Sequence, residues 1–67
     1  MNINPIREKR AHELKQMRIE KNISQEKLSE ISGLHRATIA RIESGKIGWN
    51  IDSELVYFTT LFEYRDA

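Results

Sequence analysis

An all-α fold of four helices, or five, is the architecture this chain predicts, on three observations. Apolar residues recur at helical spacing along most of its length. Two short helical patterns meet at a single glycine, Gly33. Asparagine, serine and glycine stand where those patterns start and stop. With 67 residues the chain makes one domain at most, residues 1–67, near the lower limit at which one hydrophobic core suffices.

Asn4 followed by Pro5 reads as a helix start, because asparagine accepts from free N–H groups and proline fits the first helical position. Ile6, Arg10, Leu14 and Met17 fall along one face, the alkyl stem of Arg10 bridging the gap, and predict a first helix over about 5–21. Asn22 tolerates the left-handed conformation that ends it, and Ile23 is expected in the core. Ser24 is a good N-cap for a second helix, with Glu26 well placed against the helix dipole. Leu28 and Ile31 supply its buried face, and Ser29 is small where another helix approaches. Gly33 ends it by taking a positive φ at little cost, and Leu34 plugs the turn.

A third helix is predicted from His35 or Arg36 to Ser44, stopped by Gly45. At about 100° per residue, Ile39 and Ile42 share one side while Arg36, Ala37, Ala40 and Arg41 occupy the other. Such a helix is shaped to enter a groove. Its alanines permit close approach and its arginines donate in a planar fork. An ordinary amphipathic surface helix has the same pattern and stands as the plainer reading.

A loop with Trp49 and Asn50 follows. Beyond it, Ile51, Leu55, Phe58 and Phe62 form one helical stripe and Tyr57, Leu61 and Tyr64 a second beside it. One stripe can cover the core, which leaves the other for a partner chain. The β-branched and aromatic run from Val56 to Phe62 keeps a strand in competition, with a helix over about 52–62 preferred. Residues 63–67 are expected to fray.

The net charge of +1 conceals a division at Gly48. Residues 1–47 carry ten Lys or Arg against six Glu, for +4; residues 48–67 carry one Arg against four acids, for −3. The basic part holds the hinged helices, as a phosphate-binding surface requires. All five aromatics lie between Trp49 and Tyr64. Charge and hydrophobicity thus separate a reading part from a packing part.

The exclusions are equally local. Cysteine is absent, and His12 and His35 are far apart with no paired carboxylate spacing around either, so neither metal nor cofactor is expected. No apolar run approaches a membrane span and the polar N-terminus lacks a signal-peptide core, which predicts a cytoplasmic protein. No Ser-His-Asp arrangement, nucleophilic cysteine or glycine-rich phosphate cradle points to an enzyme.

Three blocks at fixed spacing carry a resemblance: Leu14-x-x-Met17-Arg18; Ile23-Ser24-Gln25-x-x-Leu28-Ser29-x-x-Ser32-Gly33-Leu34; and Thr38-Ile39-x-x-Ile42-Glu43-x-Gly45-Lys46. Together they resemble the phage-repressor and Cro-like (Xre) helix-turn-helix family of bacterial transcription regulators. The resemblance implies a lambda-repressor-like DNA-binding domain with its helix-turn-helix over residues 24–45 and a packing or dimerisation segment over 49–64.

The same resemblance implies roles. Arg36, Ala37, Ala40 and Arg41 would face bases; Gln25, His35, Thr38, Ser44 and Lys46 would meet phosphates or lie beside them. Arg18 and Glu43 would form a partly buried structural pair. Trp49 reads as a packing residue under the loop. The chain departs from the family in its aromatic, threonine-rich fourth helix and in how little follows Leu61.

The partner implied is double-stranded DNA, bound by a homodimeric, nucleoid-associated repressor with its third helix in the major groove. An antitoxin with a cognate toxin partner, or a restriction–modification controller, would use the same scaffold. A protein-interaction module that no longer reads DNA is the alternative of a different class.

Overall fold

The computed structural model describes residues 5–45 and 51–65. Its four helices are α1 (Pro5–Glu20), α2 (Gln25–Ser32), α3 (Arg36–Ser44) and α4 (Ile51–Glu63). No strand occurs among the described residues, so the 51–63 segment resolves as helix. The Asn4 start, the Lys46 contact and the Trp49 packing role fall outside the described residues.

Two short turns set how the first three helices meet, and each follows from local chemistry. Asn22 has φ 59°, the left-handed conformation that lets the chain reverse after α1. Arg18 pins that turn from both sides. Its carbonyl accepts from the Ile23 amide at 3.2 Å, and its guanidinium Nη1 donates to the Ile23 carbonyl at 2.7 Å. Ser24 caps α2, its hydroxyl oxygen accepting from the Lys27 amide at 2.9 Å.

At the hinge between α2 and α3, Gly33 has φ 81° and donates its N–H to the Ser29 carbonyl at 3.0 Å. Two serines fasten Leu34 behind it. The Ser29 hydroxyl donates to the Leu34 carbonyl at 2.6 Å, and the Ser32 hydroxyl accepts from the Leu34 amide at 3.1 Å. The Gly33 and Leu34 amides and the Leu34 carbonyl are thereby all paired within the turn.

The core consists of Leu14, Ile23, Leu28, Ile39, Ile42, Tyr57 and Leu61, with Met17, Leu34 and Tyr64 packed at its edge. Burying side chains such as Leu28, Ile39 and Ile42 stabilises the fold by about 1.5–3 kcal/mol each. Every helix contributes, so none of the four is stable apart from the others.

Two packing expectations change, and one that the sequence leaves open is decided. The buried face of α1 runs through Ala11, Leu14 and Arg18, not through Ile6 and Arg10; Ile6 is 74% exposed. The reason lies at Gly45, where a Cβ would stand 3.1 Å from the Glu8 Cα and 3.5 Å from the Ala11 Cβ. The end of α3 comes so near to α1 that only a small residue fits between them. Arg10 instead reaches α4, its Nη1 lying 3.3 Å from Glu54 Oε1.

The second change concerns α2, whose buried face rests on Leu28 while Ile31 stays largely at the surface. The open question concerned α4. Tyr57 and Leu61 face the core, and Ile51, Leu55, Phe58 and Phe62 face outward. The Phe58 and Phe62 rings stack with centroids 5.9 Å apart. A groove of about 410 Å³ opens beside them between α1 and α4, with Leu14, Met17, Ile51, Leu55 and Phe58 among its walls.

Candidate nucleic-acid interface

Helix α3 divides cleanly. Ile39 and Ile42 are completely buried, which fixes the rotation of the helix, and the opposite side is solvent-facing. Arg36, Ala37, Ala40 and Arg41 are exposed together there, with His35 at one end and Ser44 at the other. Thr38 is half-buried at the flank. His35 occupies the N-cap position, but its side chain makes no capping hydrogen bond. The Ser44 hydroxyl donates to the Arg41 carbonyl at 2.7 Å. The result is a narrow ridge with two guanidinium groups and alanines between them.

Behind the ridge lies a buried polar cluster centred on Glu43. Its two oxygens accept four hydrogen bonds, the full capacity of a carboxylate. Oε2 accepts from Arg18 Nε at 2.7 Å and from the Tyr57 hydroxyl at 2.6 Å. Oε1 accepts from Arg18 Nη2 at 3.2 Å and from Gln25 Nε2 at 3.0 Å. The Arg18 fork is thus bidentate, the stronger form of an ion pair. The Tyr57 hydroxyl also lies 3.3 Å from the Leu14 carbonyl, but it has one proton, and the charged, nearer acceptor takes it.

The Arg18 and Glu43 side chains are only 10% and 4% exposed. Burial alone would push the Glu43 carboxyl upward, yet the hydrogen bonds from Arg18, Tyr57 and Gln25 outweigh it and hold the group below its ordinary value. Arg18 is correspondingly raised, chiefly by its hydrogen bond to Glu43. Burial, with the adjacent carboxylate adding to it, pushes the Tyr57 phenol well above the usual tyrosine range. Arg18 and Glu43 are therefore charged and Tyr57 neutral at physiological pH.

Gln25 connects cluster and surface. It opens α2, is half-buried, and has one amide hydrogen on Glu43. The structure thus brings Gln25, Arg18 and Glu43 into one network, and sets His35, Arg36, Ala37, Ala40 and Arg41 on one exposed face. Tyr57 joined this network without any expectation from its own segment, since 14 residues separate it from Glu43.

A family model described as helix-turn-helix matches residues 14–48, over half of the chain. The chain belongs to the Cro-like (Xre) helix-turn-helix family. Members of this helix-turn-helix family are DNA-binding regulators rather than enzymes as a rule. The matched span runs from Leu14 in α1 through both turn glycines, so it includes Arg18, Gln25 and Glu43 of the cluster and the α3 ridge, while Tyr57 lies beyond it. Comparison with curated proteins gives no significant match. Among the described residues no helix is long and apolar enough to cross a membrane.

Proposed function

We propose that this helix-turn-helix chain is a sequence-specific double-stranded DNA-binding repressor that acts as a homodimer in the cytoplasm, with residues 1–67 forming one domain. The observation that carries this reading is the exposed ridge of α3, turned outward by the complete burial of Ile39 and Ile42. Arg36 and Arg41 grip base edges in the major groove, and each guanine held through O6 and N7 adds about 1–3 kcal/mol of discrimination. Ala37 and Ala40 let the helix approach and can rest on a thymine methyl. Gln25, His35, Thr38, Ser44 and Lys46 hold or flank the phosphate chain, which sets register and supplies most of the non-specific affinity.

The homodimer is supported by the outward stripe of α4. Ile51, Leu55 and Phe62 are each more than 60% exposed, an unusual surface for a solitary small domain. Symmetric pairing places two α3 helices roughly 34 Å apart, one turn of duplex, and calls for an inverted-repeat operator. The same stripe favours one second reading, in which an antitoxin or controller engages a different protein through α4.

Titrating duplex binding against salt tests the DNA reading. Wild-type affinity is expected to fall steeply with salt, and Arg36→Ala and Arg41→Ala to lose preference for the enriched site while the domain stays folded. Salt-insensitive binding, or full site preference in both variants, contradicts it.

A further inference from the structure

We propose that Tyr57, on a helix away from the reading face, is a positioning residue for DNA binding: through Glu43 it sets the side-chain amide of Gln25 in the orientation that meets a phosphate. The inference rests on the Gln25 contact of the proposed function. Its basis is the hydrogen-bond geometry of the cluster. Gln25 Nε2 donates to Glu43 Oε1 at 3.0 Å, and a carboxylate only accepts, so this bond fixes which end of the amide points inward. The amide oxygen is excluded from that side. The second hydrogen on Nε2 remains for an outside acceptor, and a phosphate oxygen is an acceptor.

Glu43 in turn must be held still. Arg18 grips both carboxylate oxygens, but Arg18 sits on α1 and pulls from one side. The Tyr57 hydroxyl, completely buried on α4, donates to Oε2 at 2.6 Å and completes the set. Helices α1, α3 and α4 thereby fix an amide at the start of α2. Without the phenol, Oε2 keeps only the Arg18 bond and the carboxylate is free to rotate toward it. The Gln25 bond is the one that loosens, because it is the only neutral–donor bond left on the carboxylate.

Tyr57→Phe keeps the ring that fills the core and removes the one proton. Two measurements on the full chain test the proposal. In NMR spectra of the free protein, the two side-chain amide protons of Gln25 are expected to be widely separated, and to converge in Tyr57→Phe. Unchanged Gln25 amide signals in Tyr57→Phe overturn the positioning role without recourse to DNA. In duplex binding at a temperature where all variants are folded, Tyr57→Phe is expected to weaken affinity about threefold, and to have no further effect when Gln25 is already alanine. A full threefold loss in the Gln25→Ala background means that Tyr57 acts by another route and overturns the proposal. Converging amide signals with Gln25→Ala silent in binding would contradict the phosphate contact itself, while the Tyr57–Glu43–Gln25 coupling stands.

Discussion

Replacing Glu43 by leucine is expected to remove a large part of the domain's stability, and the magnitude follows from what the substitution strands. The leucine has similar bulk, so cavity formation is minor. Arg18 is left as a charge whose side chain is 10% exposed, and the Gln25 amide and the Tyr57 hydroxyl each lose an acceptor. Removing one partner of a buried pair costs about 3–5 kcal/mol. A chain of 67 residues has roughly 3–10 kcal/mol of stability in total. The loss therefore takes about 30% of it at the least, lowering the melting temperature by about 12–40 °C for a domain of this size.

Thermal and urea unfolding followed by far-ultraviolet circular dichroism measures this directly. The companion variant Arg18→Met/Glu43→Leu is expected to recover most of the loss, because no charge remains inside. Recovery stays incomplete. The Ile23 carbonyl loses the Arg18 donor at 2.7 Å, although Tyr57 can turn to the Leu14 carbonyl 3.3 Å away. If Glu43→Leu costs less than about 1 kcal/mol, the range of an exposed pair, the reasoning is refuted. A further consequence is that loss of DNA binding in either single variant reports folding and not contact.

Other outcomes follow from the same structure. Gly45→Ala is expected to destabilise more than Gly33→Ala. Both carry a positive φ that costs about 1–2 kcal/mol, but only at Gly45 does the new Cβ meet backbone, the Glu8 Cα at 3.1 Å; urea unfolding ranks them. Glu43 lies below its usual value of 4.5 in the fold, so its contribution is complete above that pH and is lost as pH falls through the folded value. An acid-unfolding series should show wild type losing stability below about pH 4.5 more steeply than Arg18→Met/Glu43→Leu. Leu55→Lys and Phe62→Lys, at residues 61% and 72% exposed, should abolish self-association in sedimentation while leaving the melting temperature of the monomer unchanged.

Much of the fold was legible because its signals are local. Asn22, Ser24, Gly33 and Gly45 each announce a turn or cap through their own conformational chemistry, and the helix bounds agree to within a residue or two. Ile39 and Ile42 likewise settle which side of α3 is buried. Where the reading failed, the deciding fact was a contact between helices. Ile6 looks like a better core residue than Ala11 until Gly45 is seen against α1. The two stripes of α4 are equally apolar in sequence, and only packing decides that Tyr57 and Leu61 turn inward. Ser29 reads as a small residue and Ser32 as a helix end, whereas their hydroxyls tie down Leu34.

The candidate site divides in the same way. Helical periodicity collects Arg36, Ala37, Ala40 and Arg41 without help, since they are close in sequence. The Arg18–Glu43 pair spans 25 residues and came from resemblance alone. Tyr57 and Gln25 joining the same carboxylate had no signal in periodicity, capping or charge, because hydrogen bonds between distant segments leave no spacing to read.

Selection of bound duplexes from a random pool, followed by footprinting with the purified chain, tests the central claim most directly. The account predicts enrichment of an inverted repeat whose half-sites lie one helical turn apart, protected by two copies of the chain, with the enrichment lost in Arg36→Ala/Arg41→Ala. A pool that yields no enriched sequence, or one bound equally well by that double variant, would contradict it.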